Sequence, residues 1–250
     1  MPCLASVLTS SGFLDGIKTA IASLTGAGIA FSFALYRDHR LRRRDRIAAG
    51  NMAVITLMRQ TNDYFSAAAA IRAQRDFLKQ AAPAAPDWML MKPMHFDYSE
   101  ALRFKMDSLV FLLERPEGAA IVQSLLAVEM HYHAMFAMLL VHAATSEAVQ
   151  VRLSDAGIDP YQPASVADLE RAVGFQLVSK TRSFVHGIFD SIDRDEAKFR
   201  EACDLLPRAL RRMFGEKAVV RIELPDAAQL RAQAAATVQA WTAAVADAAP

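Results

Sequence analysis

Glu129 and His133 are the residues whose types and spacing come nearest to chemistry. Four positions apart, they share one face of any helix that contains them, which suits a metal half-site or a general acid–base pair. Carboxylate-bridged di-metal bundles use Glu-x-x-His on each of two helices. This chain has Glu-x-x-x-His once, with His131 turned about 200° from Glu129 and His142 about half a turn round from His133. The spacing therefore predicts a hydrogen-bonded pair on one helix, with no metal site and no cofactor. The sequence has no Walker A loop, dinucleotide fingerprint, Gly-x-Ser-x-Gly elbow or His-Glu-x-x-His helix. Two cysteines, Cys3 and Cys203, supply neither a disulfide framework nor a four-ligand zinc site.

A second pairing is Arg182-Ser-Phe-Val-His186, which a helix also places on one face. These five residues resemble the Arg–His motif of the HEPN-type ribonucleases, which are helical bundles. Only three residues separate Arg182 from His186, fewer than that family's pattern has. The resemblance implies an RNA-cleaving dimer interface with Arg182 and His186 as the catalytic pair, and so a membrane-anchored ribonuclease as an alternative function. Read by themselves, the residues are a surface arginine near a partly buried histidine, and no catalytic residue is expected.

The elements that must carry these residues follow from composition. The 250 residues are 53% hydrophobic and 22% charged, with ten Gly, ten Pro and abundant Ala, which excludes general disorder and favours helices over a turn-rich β-sandwich. The fold expected is all-α with at most one short strand.

The N-terminus is the most informative stretch. Thr19–Tyr36 carries no charged side chain, and Arg37–Arg46 then holds six arginines, Arg37, Arg40, Arg42, Arg43, Arg44 and Arg46, against Asp38 and Asp45. Eighteen helical residues rise about 27 Å, just short of a hydrocarbon core of about 30 Å, and Ile17 with a snorkelling Lys18 supplies the missing turn. The local charge of +4 after the span, against zero before it, predicts an uncleaved single-pass anchor with its N-terminus out and its C-terminal part in the cytosol of a bacterial cell. The net charge of +1 less this +4 leaves −3 for the remainder, so no nucleic-acid partner is expected and the arginines are assigned to anionic lipid. Ala22, Gly26, Ala30 and Ala34 recur every four residues, a small face on which two spans would self-associate. The organisation expected is an extracytoplasmic segment 1–16, a transmembrane helix 17–36, a basic juxtamembrane segment 37–46 and a cytosolic helical domain 47–250.

Within that domain, a helix from Ile47 to Gln80 is expected to precede an irregular connection over 81–98, broken by Pro83, Pro86 and Pro93. A helix Glu100–Glu114 follows, N-capped by Ser99, with Leu102, Met106, Leu109, Val110 and Leu113 buried. The next helix, about Glu117–Leu153, contains an apolar run at 119–144 that could pass for a second span. Glu129, His131 and His133 at its centre instead mark it as the core helix of a bundle. Ser165 and Asp168 form a near capping box for a helix Val166–Ser191, and a further helix spans Asp195–Phe214, bent or interrupted at Pro207. Ala218–Leu224 reads as a lone strand or a loop lying along the bundle, and Asp226 caps a last helix anchored by Leu230, Val238 and Trp241. The function expected is a membrane-tethered, self-associating interaction or signalling module of the inner membrane, docking an unidentified protein partner. One specific form is an effector of a bacterial defence or toxin system that disrupts the bilayer when its partner releases it.

Overall fold

The computed structural model describes residues 11–247 other than 82, 84, 95, 97, 159–164 and 225. The first ten residues with Cys3, part of the turn expected over 157–163, and the side chain of Trp241 lie outside the described residues. Described residues form α-helices joined by short 3-10 turns, with no strand among them. The α-helices are α1 (Ser11–Ala81), α2 (Gly118–Asp155), α3 (Val166–Val173), α4 (Phe175–Phe214) and α5 (Ala227–Asp247). Contacts divide the chain into two units, one ending at Ala48 and the other beginning at Ala49.

In the first unit every residue from Ala22 to Asp45 is exposed. Leu24, Phe31 and Phe33 present 73%, 65% and 70% of their surface to the surroundings. The Ser32 hydroxyl donates to the Gly28 carbonyl at 2.8 Å, so its one donor is spent inside the helix. Asp38 pairs with Arg42 one turn on at 2.8 Å.

The second unit is a bundle whose core lies between the later turns of α1, α2 and α4. Val54, Leu57, Tyr64, Ala68 and Ile71 on α1 fall at helical spacing and are buried against Leu125, Val128, Tyr132 and Met135 of α2 and Val185, Ile192, Phe199 and Leu206 of α4. Tyr64 and Phe199 stack with centroids 4.2 Å apart. Close approaches are set by small residues. A Cβ on Gly50 would meet Leu210 Cδ2 at 2.8 Å, and one on Gly118 would stand 1.9 Å from the Leu112 carbonyl oxygen. A smaller cluster of Trp88, Val149, Leu153, Val173 and Val178 closes one end. By length and composition alone, the described helix that qualifies to cross a membrane is α2, mid-chain, and not the N-terminal stretch. One face of α2 is nevertheless packed into the bundle core, as its central ionisable residues led us to expect.

Several boundaries differ from expectation. Instead of a helix from Glu100 to Glu114, a turn closes from the Ser99 carbonyl to the Leu102 amide, irregular chain runs to Lys105, and a 3-10 helix covers Met106–Glu114. Neighbouring helices explain this: Gln60 Nε2 donates to the Leu102 carbonyl at 2.8 Å and Glu129 Oε2 accepts from the Phe104 amide at 2.7 Å, taking backbone groups a helix would pair internally. The tighter 3-10 period also moves the buried stripe to Leu109, Phe111 and Leu112, leaving Val110 and Leu113 exposed. The irregular connection thus reaches beyond residue 98, interrupted by a 3-10 turn at Asp87–Met89.

The helix expected over Val166–Ser191 is two helices, because Gly174 adopts φ 89°, a conformation that ends α3 and starts α4. No break follows Ser191, since Ser191 and Asp195 bond to each other within one continuous helix. Pro207 lies inside α4 and does not end it; the ring is buried, and core packing by Leu206, Ala209 and Leu210 supports the turn that lacks its amide donor. The Ser165 cap forms, its hydroxyl accepting from the Asp168 amide at 3.1 Å. Ala218–Leu224 is a loop: Asn51 Nδ2 donates to the Ala218 carbonyl at 2.9 Å and Asn51 Oδ1 accepts from the Val220 amide at 3.0 Å, so one side chain does what a neighbouring strand would do.

Candidate functional site

A polar cluster in the bundle is built around Asp195, which is fully buried on α4. Ser191 Oγ donates to Asp195 Oδ2 at 2.8 Å, and His131 Nδ1 of α2 lies 3.0 Å from that same oxygen. Lys198 Nζ and Arg194 Nε donate to Oδ1 at 3.0 and 3.1 Å. Spacings of one, three and four residues bring Arg194, Lys198 and Ser191 to the carboxylate from its own helix, while His131 reaches it across the interhelical gap. Lys198 also donates to His131 Nε2 at 2.9 Å. An ammonium has only protons to give, so Nε2 accepts, Nδ1 carries the hydrogen toward Asp195, and the imidazole is neutral. Tyr64 ties α1 in by donating to the Ser191 carbonyl at 3.0 Å.

The electrostatics follow from these partners. Burial pushes the Asp195 carboxyl up, but hydrogen bonds from Arg194, Lys198 and Ser191 outweigh it, leaving the group below the ordinary carboxylate range. His131 is pushed down by burial; Asp195 opposes this, while Lys198 and Arg194 reinforce it. Burial, with Asp195 adding to it, raises the Tyr64 phenol well above its ordinary value. With its Nε2 already held by an ammonium, His131 is not poised to take a proton from a substrate. The arrangement is a latch between α2 and α4 that satisfies a buried charge from four sides.

A parallel clamp joins α1 to α4. Arg72 donates to Glu196 Oε2 at 2.9 Å, to the Ile192 carbonyl at 3.2 Å and to Asp193 at 3.2 Å. Burial raises the Glu196 carboxyl, and Arg200 with Arg72 overcomes that and holds it low.

Glu129 and His133 share a face of α2 but do not bond to each other. Glu129 is spent on the Phe104 amide, and His133 Nδ1 meets the Tyr98 hydroxyl at 2.7 Å. Tyr132 next to them donates to Asp63 at 3.1 Å. Burial lowers His133, Arg103 adds to that, and Glu129 with Glu100 opposes it. The buried Nε2 of His133 meets no hydrogen-bond partner among the described residues, and no three His, Cys, Asp or Glu there stand together as a metal set.

Arg182 and His186 are both exposed on α4, and Arg182 Nη2 donates to Glu170 Oε1 of α3 at 3.2 Å. Cys203 is buried; burial pushes its thiol up, with Thr61 hydrogen-bonding to it at 3.3 Å. A cavity of about 430 Å³ opens between α1, residues 92–94 and α5, lined by Phe77, Leu78, Met94, Leu230 and Val238 with Gln74 and Lys92 among them. Such a lining suits an apolar molecule better than bond-breaking chemistry.

The cluster of His131, Asp195 and Lys198 was not singled out by sequence reasoning. Its within-helix half, Ser191, Asp195 and Lys198, is visible as helical spacing, but the partner His131 comes from a helix 67 residues away from Lys198 in the chain. No family model, curated relative or solved structure matches the chain.

Proposed function

We propose that the protein is a membrane-tethered helical interaction or signalling module of the bacterial inner membrane. The observation that carries this reading is the uncharged stretch Thr19–Tyr36 followed by six arginines, on a helix whose large apolar side chains are exposed from Leu24 to Leu41. Exposed Phe and Leu on that scale cost free energy in water and none in a bilayer. The arginines fix the N-out, C-in orientation and bind anionic headgroups, and the Ala22, Gly26, Ala30 and Ala34 face brings spans together. A Cβ on Gly26 would meet nothing within 4 Å, which leaves that face open to a second helix. The bundle then presents its surface to a protein partner.

A second reading, a membrane-acting effector held silent by a partner, is favoured by α2, a long apolar helix of which only a third of the most apolar window is buried. The rival from another class is the ribonuclease carried by Arg182 and His186. Growth of cells expressing the full chain, the double variant Phe31→Arg/Phe33→Arg and His186→Ala separates the three. An effector arrests growth only with the span intact and is indifferent to His186→Ala. A nuclease loses both toxicity and RNA cleavage in His186→Ala. A tethered module with neither activity leaves growth unchanged in all three while the full chain localises to the cell periphery.

A further inference from the structure

We propose that the cavity between α1, residues 92–94 and α5 binds a long-chain fatty acid as its carboxylate, with the chain along the apolar lining and the head group at Lys92 and Gln74. The cavity lies wholly within the second unit, so the proposal stands apart from the tethering reading. α1 contributes Phe77 and Leu78 to the lining, and the 92–94 segment contributes Met94. From α5 come Leu230, Ala234 and Val238, which follow one another at one-turn spacing and are the half-buried positions of a helix otherwise exposed from 228 to 240. An apolar cavity of about 150 Å³ takes a benzene, so one of about 430 Å³ has room for an aliphatic chain of roughly 12–16 carbons.

Two polar groups set which apolar molecules fit. Lys92 is the one charged residue among the described lining, and no carboxylate stands there with it. Burial lowers the Lys92 ammonium, so water hydrates that charge incompletely and an anion brought to it restores what is missing. Gln74, only 8% exposed, holds the 92–94 segment in place, its Oε1 accepting from the Lys92 amide at 2.9 Å. That bond fixes which end of the side-chain amide is oxygen, and leaves Nε2 with two protons and no acceptor among the described residues. A carboxylate has lone pairs enough for both the ammonium and the amide. Thr237 does not compete for it, because its hydroxyl donates to the Gln233 carbonyl at 3.0 Å. An amine ligand would meet Lys92 with like charge, and a sugar or nucleotide would set its hydroxyls against Leu78, Met94 and Leu230 without partners. One carboxylate on an aliphatic chain suits both parts of the cavity.

The test uses the full chain in a dialysed lysate of cells that express it, photolysed with hexadecanoic acid carrying a mid-chain diazirine. Peptides of the purified protein are then mapped by mass spectrometry. Label should fall within 66–78, 92–94 and 230–238, the segments that line the cavity. Unlabelled hexadecanoate should displace it at concentrations about tenfold below those of hexadecanol, which has the chain without the charge. Lys92→Met should lower the label in these segments about tenfold, and Lys92→Arg, which keeps a cation, should retain most of it. Ala234→Phe fills the cavity while leaving Lys92 and Gln74 in place, and should lower the label as far with the unfolding midpoint of the native chain. Label absent from the three segments, equal displacement by hexadecanol, or full labelling of either Lys92→Met or Ala234→Phe overturns the proposal.

Discussion

His131 Nδ1 on α2 lies 3.0 Å from Asp195 Oδ2 on α4, while the other nitrogen of the same imidazole accepts from Lys198. The histidine is thereby fixed as one neutral tautomer between a buried carboxylate and an ammonium. Replacing Asp195 by Ala leaves His131, Lys198 and Ser191 without their common acceptor. The expected loss is about 3–5 kcal/mol, the range for breaking one partner of a buried ion pair. Asp195→Asn, which keeps an acceptor oxygen, should lose less. Thermal unfolding of the detergent-solubilised full chain, followed by the fluorescence of Trp88 with Trp241 replaced by Phe, checks both; an unchanged midpoint in Asp195→Ala would show the latch to be idle.

Acidification should weaken the bundle before any carboxylate titrates. His131 and His133 are depressed chiefly by burial with nearby cations adding to it, and His142 by burial alone. Below the unfolded histidine value of 6.5 the unfolded chain binds protons that the folded chain resists, so their contribution is intact above that pH and declines as pH falls toward the depressed folded values. Each group contributes a slope of up to about 1.4 kcal/mol per pH unit in that window. A further decline follows as Asp195 and Glu196, both held low, are finally protonated. Unfolding midpoints measured between pH 7.5 and 5 should fall monotonically, and a flat profile would contradict the assignment.

Gly118→Ala should be disproportionately costly for so small a change. The added methyl would stand 1.9 Å from the Leu112 carbonyl oxygen, a backbone atom that cannot rotate away, so the start of α2 must shift from the 3-10 helix before it. A loss of about 1–3 kcal/mol is expected, whereas Gly157→Asn, at φ 68° with open space around it, should cost under about 1 kcal/mol. The same unfolding assay reads both.

On the tethering proposal, neutralising Arg37, Arg40, Arg42, Arg43, Arg44 and Arg46 to Gln removes the charge asymmetry that would orient the span. A C-terminal reporter that is active only in the cytosol should lose much of its signal, and Asp38→Asn with Asp45→Asn should leave it intact. Full retention of signal without the arginines would assign them elsewhere.

How far the fold was legible depended on whether its determinants were local. The Ser165 cap, the Asp226 start of α5 and the long apolar α2 are written within a few residues each, and the structure has all of them. Residues 100–105 were misread because Gln60 and Glu129, distant in sequence, capture their backbone groups. Gly174 falls inside the helix expected over Val166–Ser191, and nothing local marks its positive φ. The Asp195 cluster was half visible, as helical spacing on α4, and its histidine was hidden by the same non-locality.

The measurement that tests the account most directly is alkaline carbonate extraction of the full chain from bacterial membranes, beside Phe31→Arg/Phe33→Arg. The account predicts that the native chain stays in the pellet and that the double variant, with two charges in the middle of the span at about 2.5–3.5 kcal/mol each, moves to the supernatant. Release of the native chain would contradict the tether, make Thr19–Tyr36 a helix that must be covered by protein, and free the arginine cluster for another partner.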